Sequence, residues 1–443
     1  MAGEWHETTL GQLARFLSGG TPSKDVPEYW GGSIPWVSAK DMKRFRLDDT
    51  VDHVTEHGLA AGTKLVPAGT VLLLARGMTL LRDLPICVAS RPVTFNQDVK
   101  ALHPQPSIRD DFLPYLLLGN KDRLLDRVDL AGHGTGRLNT DELKALDVRL
   151  PPEPEQCAIA HILGTLDDKI ELNRRMNETL EQVARALFKS WFVDFDPVRA
   201  KSEGRDPGLP SEIADLFPDS FEESELGEIP KGWEVARLGE LIETVKGRSY
   251  KSEELVESDT ALVTLKSFAR GGGYRPDGLK PFSGTYKPEQ VVEPGELVIA
   301  CTDVTQAAEV IGRTAVVRGT AGYRTLVASL DTLIVRPRHP SMTRAFLYFL
   351  GRTEVFVAHT YAHTTGTTVL HLAKEAVPSF KFALPPVRLV EAFDSVASQA
   401  LNRIQAVEEE SGTLAALRDA LLPKLISGEL RANVVDRVVR ECA

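Results

Sequence analysis

The sequence predicts a mixed α/β (α+β) protein. Two similar globular domains are separated by two long antiparallel helices of coiled-coil type and are related by a pseudo-twofold internal repeat. Three observations carry this. The chain matches itself with a period near 228 residues. Two segments keep an unbroken helical rhythm for roughly 35–40 residues each, rods of about 50–60 Å. Each follows a strand that ends in Leu-Pro-Pro, within "LPPEP" and "LPPVR". The boundaries that follow are 1–152, 153–228, 229–385 and 386–443.

The first domain and its copy are matched segment by segment. "EWHETTLGQLARFLSGG" at Glu4 aligns with "GWEVARLGELIETVKGR" at Gly232, so Trp5 meets Trp233 and Leu10-Gly11 meets Leu238-Gly239. "VPAGTVLLLA" from Val66 aligns with "EPGELVIAC" from Glu293, each a Pro-Gly turn feeding an apolar strand. "HGTGRLNTDELKALDVRLPPEPEQ" from His133 aligns with "TTGTTVLHLAKEAVPSFKFALPPVRL" from Thr364. Both predict a Gly/Thr-rich loop, a short helix, a short strand and then a long helix.

The first long helix is predicted from about Glu155 to about Val193. Its apolar seam runs Ile159, Leu163, Leu166, Ile170 and then Leu180, Ala184, Leu187, Trp191. Steps of four and three across the gap land on Asn173 and Asn177. Asparagine in such a seam lowers stability but fixes register and pairing. Two other readings stay open: the seam rotates and leaves the amides in water, or they face a partner subunit. "FKSWFVDFDPV" then crowds Phe188, Trp191 and Phe192 at the helix end, which reads as core or subunit interface. An acidic connector rich in Pro and Gly follows, with a short helix near Ile213. The second long helix starts near Val387 and is broken around Pro423 and Gly428. Neither helix is apolar all round, so each needs a partner, and the other is the simplest one.

Composition narrows the class. The net charge of -10 is concentrated in one place. Lys+Arg against Asp+Glu is 18 to 19 in residues 1–152 and 8 to 18 in 153–228; it is 19 to 16 in 229–385 and 7 to 9 in 386–443. The middle segment therefore carries the acidity, and the two larger domains are free to present basic faces. No apolar run is long enough to span a membrane. "MAGEWHETTLGQL" has no basic stretch ahead of an apolar core, so no secretory leader is expected. Cys87, Cys157, Cys301 and Cys442 are scattered and form no CxxC pair. They read as reduced thiols of a cytoplasmic protein.

"ILGTLDDKIELNRRMNETLEQVARALFKSWFVDFDPV", followed by "GEIPKGWEVARLGEL", closely resembles the central region of specificity subunits of type I restriction-modification systems. "GGTPSKDVPEYWGGSIPWVSAKDM" resembles the start of a target recognition domain, and "LRDALLPKLISGELR" the end of the distal helix. The likeness covers essentially the whole chain, strongest in the helices. It implies that each recognition domain reads one half of a bipartite duplex DNA target and that the helices set the gap. It also implies two methyltransferase subunits docked on the helical regions, and motor/restriction subunits where present. S-adenosylmethionine, Mg²⁺ and ATP would belong to those partners, with no cofactor in this chain. The rival from another class is a coiled-coil scaffold with protein- or glycan-binding ends.

The residues themselves offer no catalytic alternative. Neither Pro-Pro is preceded by Asn or Asp, as an amino-methyltransferase would require, and no GxxxxGK[ST] exists. Asp141, Glu142 and Lys144 imitate a nuclease triad but sit where a helix should start, so capping explains them. Asp194 and Asp196 lie in the helix-exit segment. His359 and His363 have helical i, i+4 spacing, but their Gly/Thr surroundings predict a loop. No metal site is expected.

Base readout needs Arg, Lys, Asn, Gln, Ser, Thr or His on strand ends and loops. In the first domain the candidates are Thr21, Ser23, Lys24, Ser38, Lys40, Arg76, Thr79, Arg82, Thr135, Arg137 and Asn139. In the second they are Lys246, Arg248, Tyr250, Lys251, Lys266, Arg270, Tyr274 and Arg275, then Thr302, Thr305, Gln306, Thr364, Thr365, Thr367 and His371. Trp30 and Trp36 read as core.

Overall fold

A computed structural model describes residues 4–131, 134–304 and 307–432. It divides into two compact units, Met1–Asn173 with Glu410–Ala443, and Arg174–Glu409. Each unit holds one globular domain and about half of both long helices.

The first unit opens and closes its globular part on one ribbon. His6–Thr9 pairs antiparallel with Asp147–Leu150, so the two ends of the domain lie side by side. Between them are a five-stranded sheet, centred on Val71–Leu74, and a four-stranded sheet whose middle pair, Trp30–Val37 and Val93–Phe95, is parallel. Val71–Leu74 is apolar at every position and buried at every position, as a strand covered on both faces must be. A third sheet joins Asp129–Ala131, Thr135–Arg137 and Arg76–Gly77.

The second unit repeats this plan. Glu234–Arg237 pairs with Lys381–Leu384. A four-stranded sheet contains the buried run Leu297–Ala300, and another has the parallel pair Thr260–Val263 and Thr325–Ala328. The third sheet joins Thr302–Asp303, Leu370–Leu372 and Thr364–Thr365. The two Pro-Gly turns also agree. Gly69 has φ +85° and Gly295 φ +88°, a left-handed conformation that favours glycine and explains its presence in both copies.

The long helices run Glu153–Phe192 and Val387–Ser427. They are antiparallel within each unit. In the first, Asp167 meets Arg418 and Asn173 meets Glu410. In the second, Asn177 meets Ile404. The apolar seam packs against the globular part of its own unit. Ile159 and Leu163 join the first core with Leu425, while Ala184, Phe188 and Trp191 join the second with Val390, Phe393 and Ala397. The connector carries the expected short helix, Ser211–Ala214.

Three local expectations change. The distal helix passes through Pro423 and ends at Gly428, because tertiary packing of Leu425 and Ile426 carries the last turn beyond the proline. The Gly/Thr stretches expected as loops contain strands, since their short β-branched runs find partners across the third sheet. The short helix after that stretch exists in the first copy as Thr140–Lys144, but in the second its place is taken by turns before Phe380.

Candidate nucleic-acid interface

The third sheet of the first domain brings distant sequence candidates onto one surface. Arg137 lies directly across from Arg76 on one side and from Asp129 on the other. Thr135 and Arg137 share a face, because strand side chains alternate. Asn139 Nδ2 donates to Asp129 Oδ2 at 3.4 Å. Both arginines are exposed. Among the described residues neither guanidinium has a hydrogen-bond or ion-pair partner. Like charges directly opposite on a sheet repel. Two such arginines side by side are a liability in the free subunit and an asset against an anion.

Immediately after Gly77 the chain makes a 3₁₀ turn, Met78–Leu81. Leu80 is buried beneath Gly136, where an added Cβ would sit 2.8 Å from the Leu80 Cβ. The close approach fixes the turn to the central strand. Thr79 and Arg82 stay exposed on it. Arg76, Thr79, Arg82, Thr135, Arg137 and Asn139 thus belong to one surface.

In the second domain the same sheet aligns Thr302, His371 and Thr365 in one cross-strand row. His371, Thr365 and Thr367 are exposed. The Thr302 hydroxyl differs from the expectation: it is buried and donates to Asp331 Oδ1 at 2.9 Å. The Thr364 hydroxyl donates to the Tyr361 carbonyl at 2.8 Å. Thr305 and Gln306 lie outside the described residues.

The remaining candidates are elsewhere and mostly committed to internal contacts. Thr21 donates to Gln97 Oε1 at 2.6 Å, and the Ser23 hydroxyl accepts from the Asp25 N–H at 3.3 Å. Lys24 lies 6.0 Å over the Trp30 ring, which meets Trp36 edge-on at 5.0 Å. Ser38 donates to Asp41 at 2.8 Å, and Lys40 pairs with Asp52 at 2.8 Å. In the second domain Arg248 is held by Glu254 and Thr285 and sits 5.4 Å over Phe282. The Lys251 backbone N–H, with Arg248 beside it, holds the Glu254 carboxyl below the usual range. Tyr250 lies under Lys280, and Tyr274 is buried with its hydroxyl on the Gly319 carbonyl at 3.2 Å. Arg270 pairs with Glu309 at 3.1 Å and Arg275 with Asp277. Lys246, Lys251 and Lys266 are exposed.

On the helices, Asn173 is 0% exposed. Its amide donates across the pair to Glu410 Oε2 at 2.9 Å and Ser411 Oγ at 3.2 Å. Asn177 donates to the Ile404 carbonyl at 3.4 Å. Among the described residues, the side-chain oxygen of each is buried without a partner. Phe188, Trp191 and Phe192 are core residues of the second unit, stacked edge-on against Phe346, Phe393 and Phe217.

Sequence reasoning missed how each domain is pinned to the helices. Tyr115 and Tyr348 occupy matching helices, Leu113–Gly119 and Arg344–Leu350. The Tyr115 hydroxyl donates to Asp167 Oδ2 at 2.9 Å, and Arg418 of the distal helix donates to Asp167 Oδ1 at 2.6 Å. The Tyr348 hydroxyl donates to Glu181 Oε1 at 2.6 Å, and Arg352 pairs with the same oxygen at 3.2 Å. Burial, then the neighbouring carboxylate, pushes both phenols well above their ordinary range. Both carboxylates come from the central helix. The 233-residue offset between the tyrosines was the available signal.

The histidine pair is helical after all. His359 lies in Glu354–Ala362 and His363 caps it, the rings 4.3 Å apart. Thr353 caps the start of this helix by accepting from the Phe356 N–H, which offsets the Gly/Thr-rich flank. Among the described residues no group of three His, Cys, Asp or Glu is placed to hold a metal. Burial pushes the Cys87 and Cys301 thiols up to about 12. No described helix is long and apolar enough to cross a membrane.

Comparison with known proteins agrees with this geometry. Residues 2–182 match the family described as "Type I restriction modification DNA specificity domain". The chain is 27% identical over 442 residues to the type I restriction enzyme MjaIX specificity subunit of Methanocaldococcus jannaschii, covering 97% of this chain and 94% of the relative. It is 34% identical over 167 residues to the EcoR124I/EcoR124II specificity subunit of Escherichia coli, covering 37% of this chain and 41% of that one. The fold is similar to the crystal structure of a type I restriction-modification S subunit from M. genitalium, with a TM-score of 0.53, 15% identity and 96% of each chain covered.

Proposed function

We infer, from the family match over residues 2–182 and the near-full-length likeness to a type I specificity subunit, that this chain belongs to that family and supplies the DNA sequence specificity of such a complex. Each recognition domain reads one half of a bipartite duplex target. The helices set the gap between the halves and dock two methyltransferase subunits. The carrying observation is the unpaired Arg76–Arg137 row, an anion-seeking surface at the point where both domains repeat the same sheet.

The chain itself performs no chemistry in this reading. Methyl transfer to adenine, with S-adenosylmethionine, belongs to the docked subunits; ATP-driven restriction belongs to motor subunits where they are present. Exposed Leu172, Val183, Val396 and Leu417 on the long helices suit protein docking, since apolar side chains there gain by being covered. The complex works on chromosomal DNA in the cytoplasm.

The test is a map of modified adenines in the host genome with the gene intact and deleted. Loss on deletion of methylation at one split motif, two short half-sites around a fixed gap, is expected. Identical maps while the partner subunits are expressed would overturn the reading. They would move the scaffold with protein- or glycan-binding ends to the front. Duplex binding by the purified complex separates the two again, because only DNA reading gives a sequence-selective component over a salt-dependent background.

A further inference from the structure

Among the polar candidates of the first domain stands an exposed apolar side chain. Met78 is 63% exposed, directly after the strand that carries Arg76. It is not a loose side chain on a loose loop. The turn that bears it is locked by buried Leu80 against Gly136, and the Arg82 and Asp83 N–H groups close onto the Thr79 carbonyl at 2.9 and 2.8 Å. The second domain also exposes an apolar residue at this place. Val304 stands two residues after Thr302, as Met78 stands two after Arg76, and is 69% exposed. Each domain thus holds an apolar side chain in water at the matching position of the matching sheet.

The neighbours name the occupant. An apolar protein surface or a lipid interior covering Met78 would have to bury the guanidiniums of Arg76 and Arg137 without an anion, at a large desolvation cost. Duplex DNA supplies their anion. Among base edges in the major groove, the apolar group is the C5-methyl of thymine, and hydrogen-bonding side chains cannot discriminate it.

We propose that Met78 reads thymine for the first recognition domain, entering the groove beside Arg76 and Arg137 and packing on a C5-methyl group, and that Val304 holds the same place in the second. This rests on the DNA-reading function above and adds to it a base identity.

The experiment uses the assembled complex with its methyltransferase subunits and a duplex carrying the mapped target. The half-site of the first domain is the one that changes when that domain is exchanged for the recognition domain of another specificity subunit. Each thymine in it is replaced singly by uracil, which keeps the pairing and removes the methyl group. At one position the wild-type complex should bind about fourfold more weakly, the ~0.8 kcal/mol of one buried methyl group. Met78→Ala should bind the thymine duplex that weakly already and be indifferent to uracil. Its unfolding temperature should match wild type, because the removed atoms are exposed. Val304→Ala should behave likewise at the other half-site.

The assignment is overturned if no uracil position matters, if the half-site holds no thymine, or if Met78→Ala keeps the uracil sensitivity. It is also overturned if Met78→Ala weakens thymine and uracil duplexes alike, which is the behaviour of a wedge between base steps. In all four cases the wild-type complex still prefers its target. If it binds scrambled duplex equally well, the underlying DNA-reading function has failed instead.

Discussion

Arg76 and Arg137 oppose one another, and among the described residues neither guanidinium forms an ion pair or hydrogen bond. Their removal should therefore have opposite effects on folding and on binding. Arg76→Ala should stabilise the free subunit by about 0.2–1 kcal/mol, the usual cost of a like-charge pair across a sheet. The same change should weaken the complex on duplex DNA. If Arg76 contacts phosphate, the slope of log K against log salt falls by about 0.9 for the lost contact. Unfolding and salt titrations check both signs, and a variant that loses stability and keeps binding would refute the role. His359 gives a second residue-scale expectation. Burial, then His363, lowers its pKa below the ordinary value of about 6.5. Below that value the unfolded chain takes up a proton that the folded chain resists, so stability falls as pH drops. Wild type should lose more stability between about pH 7.5 and pH 5.5 than His359→Gln does. The chain order showed that Arg76 and Arg137 were polar and exposed. It could not show that 61 residues of separation close into one cross-strand pair, because register is set by tertiary packing.

At the scale of the element, the seam with asparagine at its middle was readable from spacing alone, and the helix ends came out within a few residues. What spacing could not settle was where the amides point. Asn173 and Asn177 donate across the pair but leave their oxygens buried and, among the described residues, unmet. A buried acceptor without a partner costs about 1–3 kcal/mol. Asn173→Leu should raise the unfolding temperature of the subunit and widen the range of half-site gaps that the complex methylates. A sharpened or unchanged gap profile would argue against the register role. The tyrosine pins work in the other direction. Tyr115→Phe removes one donor from the buried Asp167 carboxylate and should cost about 1–3 kcal/mol in calorimetric unfolding. The Arg418→Ala change should couple to it strongly, because both donate to one carboxylate. Additive losses would mean that the three groups do not act as a unit. Neither tyrosine was conspicuous in the sequence, since each sits in an apolar run that reads as ordinary core.

For the molecule as a whole, the internal repeat was the most legible property. It survives as matched sheets, matched ribbons and matched turns, even though side chains at equivalent positions differ widely. That contrast has a physical source. Strand pairing and burial require only apolar character and the right spacing, whereas the exposed row of the third sheet is under no such constraint. It carries arginines in one copy and a histidine beside an exposed threonine in the other. The sequence therefore announced the frame and stayed silent on what its exposed row is for. The ribbons add something to this. Because His6–Thr9 and Asp147–Leu150 lie side by side, everything between them leaves and re-enters the frame at a single doorway, and Glu234–Arg237 with Lys381–Leu384 makes a second one. A foreign insert whose two ends meet on such a doorway leaves the long helices in place provided it brings its own apolar face and a donor where Tyr115 or Tyr348 stands. On the proposed reading, genetic exchange of one cassette would give a new half of the address, and two independent doorways would let a modest stock of inserts generate many bipartite addresses by combination.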